Sequence, residues 1–232
     1  MAPRNLSTKA SLEAIWEEVQ YTRSRCLGDP DATDLALPFE QLVAEVEETK
    51  LGQQRRWAGE IDAQASCDYW SGRLGELVVD LANTLVFVIR DRRSPRVKLY
   101  LTRAPHAIAR MALKSEVEVV RFWPRSLETE PEEELRAFAP RLTEAVCSAQ
   151  AALLAQRVAQ SARADHRVRV IVPTIDRINQ ARLKLYGQLV GRAQEKRLGR
   201  HWPDGFFKVA QRRSAAGPVE EAPEERLAVA AG

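Results

Sequence analysis

The sequence predicts a mainly α-helical, bundle-like fold, and two observations support this prediction. Apolar residues recur at intervals of three and four over several long stretches, which is the period of an amphipathic helix. Ala, Leu, Glu, Arg and Gln, all strong helix formers, are abundant, whereas the 232 residues include only 11 Gly and 12 Pro. A hydrophobic fraction of 45% is enough to build a core, and it excludes general disorder.

The first helix is expected over residues 11–27, where apolar side chains from Leu12 to Cys26 share one face. A second helix begins at Pro38, a residue suited to the first helical turn, and runs toward Trp57. A third is expected to be the central core helix, because its apolar residues form a heptad-like seam and also occupy other faces. The seam consists of Leu74, Val78, Leu81, Leu85 and Val88, of which Leu81 and Leu85 are predicted to be buried.

The region 97–123 has two open interpretations. Alternating apolar residues near its two ends predict short strands, so a short β element is one interpretation; a wholly helical segment is the other. A fourth helix follows over 142–153, rich in Ala. Residues 168–172 are expected to form a strand or an extended connector, and a fifth helix runs from Ile175 to near Gly199.

The domain prediction has three parts. Residues 1–10 are expected to be a flexible N-terminus, and 11–213 a single mainly helical domain with a sub-boundary near 126–140. Residues 214–232, rich in Ala, Pro and Glu, are expected to be a disordered tail.

The start of the chain lacks the apolar run of a signal peptide, and the most apolar stretch, 74–89, contains three polar or charged residues and is too short to span a bilayer. These features predict a soluble cytoplasmic protein without membrane contact. Three Cys without a CxxC pair argue against a disulfide scaffold, and each is expected on a buried helix face. The three His have no paired ligand spacing, so no zinc site is predicted.

The charge is arranged in blocks along the chain. The net charge of +3 hides a net charge of +7 in residues 90–125 and +10 in 151–213, set against −4 in each of 1–60 and 126–150. A basic helical face attracts phosphate chains, so nucleic acid is one expected partner. The alternative is that the basic helices dock on the acidic blocks, in the same chain or in a partner protein. The residues proposed for binding nucleic acid or an acidic partner are Arg177, Lys184, Arg192, Lys196, Arg197 and Arg200, with Trp202, Phe206 and Phe207 as aromatic anchors.

A cluster of carboxylates provides the enzyme hypothesis. Glu45 and Glu48 lie on one helix face, as do Glu76 and Asp80, and two facing helices would bring all four together as oxygen ligands for Mg²⁺. The stretches 42–48 and 76–80 resemble the two acidic motifs of MazG-like nucleotide pyrophosphohydrolases. The resemblance implies an all-α enzyme that hydrolyses nucleoside triphosphates to monophosphates with Mg²⁺. The other interpretation is a solvated acidic helix face.

The sequence favours a non-catalytic function: a helical interaction or assembly subunit with segregated acidic and basic surfaces, without a cofactor. Its partner is expected to be another protein or a second copy of the chain, and nucleic acid is the further option. Ordinary helical cores generate these apolar seams without any chemistry, which is why the interaction function ranks above the hydrolase.

Overall fold

The computed structural model describes residues 3–208, and every regular element among them is helical. This confirms the mainly α, bundle-like prediction. Short 3₁₀ turns lie at Thr33–Leu35 and Trp202–Phe206, and a π-helical segment spans Arg167–Ile171. In chain order the α-helices are α1 (Leu12–Leu27), α2 (Leu37–Ile89), α3 (Pro95–Tyr100), α4 (Pro105–Ile108), α5 (Leu113–Val120), α6 (Trp123–Leu127), α7 (Glu133–Arg136), α8 (Phe138–His166) and α9 (Val172–Glu195).

Helix α1 begins and ends where its capping residues predict. The Ser11 hydroxyl accepts a hydrogen bond from the backbone N–H of Ala14 at 3.2 Å, which satisfies one of the free donors of the first turn. At the other end, the backbone N–H of Gly28 bonds to the carbonyl of Ser24. The predicted range of 11–27 is therefore correct to within one residue.

The predicted second and third helices are a single helix, α2, of 53 residues and about 80 Å. Gly52 and Gly59 lie inside this helix, and each costs only about 1 kcal/mol in a helix interior. Packing of α2 against α8 along much of its length offsets that cost. The helix ends at Arg90, whose φ of 57° is left-handed and cannot continue an α-helix.

The β element considered for 97–123 is absent from the described structure, since this region forms α3 to α6. The buried pairs Val97 with Tyr100 and Val117 with Val120 are spaced by three residues, whereas Leu99 points to solvent. The apolar alternation therefore coincides with a helical period of three, which short runs do not distinguish from a strand.

The strand or connector expected at 168–172 is helical as well. The π segment joins α8 to α9, so the backbone is helical without interruption over 58 residues from Phe138 to Glu195. Pro173 lies in the first turn of α9, just after the wider turns of the π segment. Because proline has no backbone N–H, it leaves one helical hydrogen bond unmade. The wider turns of the π segment accommodate this loss, so the helix continues without a break.

Helix α2 runs antiparallel to α8 and α9, and these long helices connect two separate hydrophobic cores. The central core contains residues between Cys67 and Ala152, including Leu81 and Leu85, which are fully buried as predicted. The terminal core combines α1 and the first part of α2 with α9 and residues up to Phe207. The expected sub-boundary near 126–140 lies inside the central core.

Part of the N-terminal segment, for which flexibility was predicted, contacts the rest of the fold. Leu6 packs on the terminal core, and its backbone N–H donates to the side chain of Asn179 at 2.7 Å. The carbonyls of Arg4 and Thr8 accept hydrogen bonds from arginines of α9 and the π segment. The predicted disordered tail, 214–232, lies outside the described residues. Within residues 3–208, no helix has both the length and the apolar character to cross a membrane.

Candidate functional site

The four carboxylates proposed as magnesium ligands do not converge. Glu45 and Glu76 lie on the same helix, 31 residues and about 46 Å apart. Glu45 accepts a hydrogen bond from the Thr174 hydroxyl at 2.9 Å and pairs with Arg177, while Glu76 pairs with Arg73 at 3.1 Å. The expectation of two facing helices is therefore wrong, because both motifs belong to α2. Over residues 3–208, no group of three or more His, Cys, Asp and Glu side chains is placed to hold a metal ion.

Half of the proposed basic surface is used inside the chain. Arg177 pairs with Glu45, Arg192 forms a two-pronged contact with Asp34, and Lys196 contacts Asp31 at 2.5 Å. The remaining members are exposed and form no ion pair within the described part of the chain. These are Lys184, Arg197 and Arg200.

The charge blocks are complementary to one another within the fold. Arg163 of α8 pairs with Glu60 of α2 at 2.7 Å, and Arg182 of α9 pairs with Glu18 of α1 at 3.2 Å. The other basic block behaves in the same way, because Arg96 bridges two carboxylates of the acidic block at 126–150. These ion pairs join basic and acidic blocks of the same chain, as the intrachain interpretation of the charge pattern predicts.

The expected aromatic anchors belong to the terminal core. Phe206 and Phe207 are 0% and 6% exposed, so neither is available to an external partner. Trp202 is half-buried, and its indole N–H donates to the Asp29 carboxylate at 2.9 Å. These aromatic residues fasten the end of the described chain onto α1 and α9.

A cleft that sequence reasoning missed lies between the two cores, where α2 faces the end of α8 and the π segment. We call it the junction cleft. Two cavities of about 320 and 500 Å³ open there, and both are lined by Arg56 and His166. The charged side chains around them are Glu45, Glu48, Arg55, Arg56, Glu60, Arg163, Arg167 and Arg177.

His166 is the most unusual residue of this cleft. Its side chain is 7% exposed, yet neither ring nitrogen has a hydrogen-bond partner among the described residues. Burial and the nearby Arg56 lower the pKa of His166, while the backbone carbonyl of Thr49 has a smaller, opposite effect. The lowered pKa favours the neutral form of the ring, and the burial of its two nitrogens is unfavourable.

Gly52 makes room for this ring. A Cβ atom at position 52 would lie 3.1 Å from Cε1 and 3.3 Å from Nε2 of His166, closer than an ordinary contact. Gly52 and His166 are distant in the sequence, so no local sequence pattern indicates that they are close in the fold. The high density of arginine after Ser161 is the one feature of the sequence that points to this part of the fold.

A second missed feature is the outer face of α8, on the side away from α2. Cys147, Ala151, Leu154 and Val158 are all exposed, and the side chains of Leu154 and Val158 have exposed fractions of 62% and 61%. They form what we call the α8 stripe. Cys147 was expected to be buried; the structure shows instead that the buried face of α8 consists of residues such as Val146 and Ala149.

A third feature is an unpaired acid in the central core. Glu116 of α5 is 0% exposed, and neither of its carboxylate oxygens has a hydrogen-bond partner in the described structure. Burial raises the pKa of Glu116 to about 7.

The described chain thus offers two surfaces that its own packing leaves incomplete: the junction cleft, which is positively charged, and the α8 stripe, which is apolar. The two lie on different sides of the long helices. Comparisons of the chain with protein-family models, with curated proteins and with solved structures found no match.

Proposed function

We propose that the protein is a non-catalytic assembly subunit that associates with a second copy of itself through the α8 stripe. The observation that supports this proposal is the exposure of four apolar side chains at consecutive heptad positions on a regular helix. Scattered exposed apolar residues are ordinary, but a continuous row at this spacing matches the contact surface of a coiled coil.

The spacing of the stripe is self-complementary. Cys147, Ala151, Leu154 and Val158 follow one another at intervals of four, three and four residues. In an antiparallel pair of α8 helices, Cys147 faces Val158 of the second copy, and Ala151 faces Leu154 of the second copy. Each layer then combines a smaller and a larger side chain, as knobs-into-holes packing requires.

The charges at the ends of the stripe favour the antiparallel arrangement. Glu144 and Asp165 continue the same heptad row at its two ends, and both are exposed. In a parallel pair, each of these carboxylates would lie beside the same carboxylate of the second copy, and the two negative charges would repel each other. An antiparallel pair instead brings Asp165 near the exposed Arg141 of the second copy, because the two lie at opposite ends of the row.

The charged surfaces add little to this association. Many of the basic residues that suggested an electrostatic partner already form ion pairs inside the chain. A contact of four side chains per copy is small, so the dimer should dissociate on dilution.

The mass of the protein in solution tests the proposal. Sedimentation of the wild type over a concentration series should show the mass rising from 26.1 kDa toward twice that value. Leu154→Glu should remain monomeric at all concentrations, because it buries a charge in the interface. Leu183→Glu is the matched control: Leu183 is equally exposed, at 60%, but lies on α9, so this variant should behave as the wild type. A wild type that stays monomeric at the highest concentration overturns the proposal.

Cross-linking tests the orientation. Cys147 is the exposed cysteine, whereas Cys26 and Cys67 are buried. In the antiparallel pair, the Val158→Cys variant should form a disulfide-linked dimer on oxidation, through its new thiol and Cys147 of the second copy. Wild type should not cross-link. Efficient cross-linking of the wild type through Cys147 alone would contradict the antiparallel arrangement.

A further inference from the structure

We infer that the junction cleft is a binding site for a phosphate group, held by Arg56, Arg167 and His166. Each of these residues faces the same cavity, on the side of α2 that meets the π segment. The inference is independent of the dimer, because the α8 stripe lies on the opposite face of the helix.

The unpartnered imidazole is the first support. A buried polar group without a hydrogen bond lowers the stability of the fold, so proteins seldom retain one without a use. Two ring nitrogens are orphaned here, and the ring lines both cavities of the cleft. A ligand oxygen in the cleft would accept a hydrogen bond from the imidazole and remove that cost.

The arginines are the second support. Arg56 and Arg167 have no carboxylate partner in the described structure, since Arg56 donates to the carbonyl of Gly52 and Arg167 to that of Thr8. Each guanidinium has five N–H donors and uses one of them in these bonds. Arg163 is already paired with Glu60, and Arg177 with Glu45, so those carboxylates do not neutralise the two free arginines.

The chemistry of the cleft selects the ligand class. Two guanidinium groups and the N–H of an imidazole supply several hydrogen-bond donors, which suit an anion with several acceptor oxygens. Arginine binds phosphate in a two-pronged geometry. The 320 Å³ cavity lies in the size range of small-ligand sites. The π segment that begins one residue after His166 fits this assignment, because such segments recur at functional sites.

Binding should change the ionisation of His166, which gives a direct measurement. A phosphate beside the ring stabilises the imidazolium, so the pKa of His166 should rise by about one unit or more. Proton NMR follows the ring signals of the full chain, which has only three histidines, and His166→Asn identifies the signal. The probes are inorganic phosphate and a simple phosphate monoester, each compared with sodium chloride at equal ionic strength. A response to both probes assigns the site to the phosphate group, and a response to the monoester alone assigns it to a phosphorylated molecule.

Variants locate the site. Arg56→Lys keeps the charge but loses the planar fork, and Arg167→Gln removes the charge; each should weaken phosphate binding at least tenfold. Arg200→Gln is the control, because Arg200 is exposed, unpaired and outside the cleft. The inference fails if the pKa of His166 is the same in phosphate and in chloride. It also fails if Arg200→Gln weakens binding as much as the cleft variants do.

Discussion

Arg182 of α9 and Glu18 of α1 form an ion pair of 3.2 Å in which the guanidinium is only 4% exposed. The same guanidinium donates to the carbonyl of Arg4 and lies over the ring of Phe207. One side chain therefore connects both ends of the described chain to the terminal core. Because it is desolvated, its loss should cost far more than the loss of a surface ion pair.

Arg182→Ala should lower the free energy of unfolding by about 3–5 kcal/mol, because Glu18 is left largely buried and without its partner. Arg177→Ala is the matched control: it breaks an ion pair on the same helix, but Arg177 is 54% exposed, and the expected cost is below about 1 kcal/mol. Urea denaturation measures both. Equal costs would show that burial does not distinguish the two ion pairs.

Glu116 should make the stability of the protein depend on pH. Its pKa is about 7 when folded, against a normal value of 4.5, so the folded state binds more protons between these two values. The free energy of unfolding should therefore fall as the pH rises from 4.5 to 7, by about 3 kcal/mol in total, and level off above. Glu116→Gln removes this titration and should flatten the profile. Glu118→Gln, on the exposed side of the same helix, should leave it unchanged.

Leu85→Ala should destabilise the protein by about 2–5 kcal/mol, because Leu85 is fully buried in the central core and its loss leaves a cavity. Phe87→Ala, two residues later on α2, removes a larger side chain that is 77% exposed. Its effect should stay within about 0.5 kcal/mol. Denaturant melts of the two variants compare them directly, and a larger effect for Phe87→Ala would mean that α2 is rotated.

Substitutions at two glycines of α2 distinguish the effect of helix propensity on stability from the effect of the space that the His166 ring needs. Gly59→Ala should raise the free energy of unfolding by about 0.5–1 kcal/mol, since nothing lies within 4 Å of the added Cβ. Gly52→Ala gains the same propensity, but its Cβ displaces the ring of His166. The stabilisation at position 52 should therefore be smaller or reversed. Thermal melts of both variants decide, and an equal gain at both positions would show that the ring moves freely.

The sequence predicted those features that depend on neighbouring residues. The range of α1 follows from its apolar face between Leu12 and Cys26, and the burial of Leu81 and Leu85 follows from their seam. The same reasoning divided α2 into two helices, because local propensity does not include the packing of α8 against that stretch. It also left a short β element and a helical segment both open for 97–123, where Val97 and Tyr100 mark one turn of a helix.

The candidate sites were harder to predict, because they depend on which segments meet. The carboxylate cluster required two facing helices, and Glu45 and Glu76 instead share one. The aromatic anchors were identified by residue type, which does not separate an interface from a core, and Phe206 lies in the core. The sequence does not single out His166, because a single histidine has no motif. Its environment is formed by Gly52 and Arg56, which lie near the ring only in the folded chain.

The order in which the two cores appear along the chain has a consequence for synthesis. All residues of the central core fall between Cys67 and Ala152, whereas the terminal core needs α1 and α9 together. The chain leaves the ribosome from its N-terminus, so the central core can be complete before α9 has been synthesised. Through that interval α1, including Ile15 and Val19, can pack on the first part of α2, but the part of the terminal core that α9 supplies is missing. The terminal core is therefore the part of the nascent chain that stays incomplete for longest, because its apolar residues from α1 and α2 are made well before those of α9.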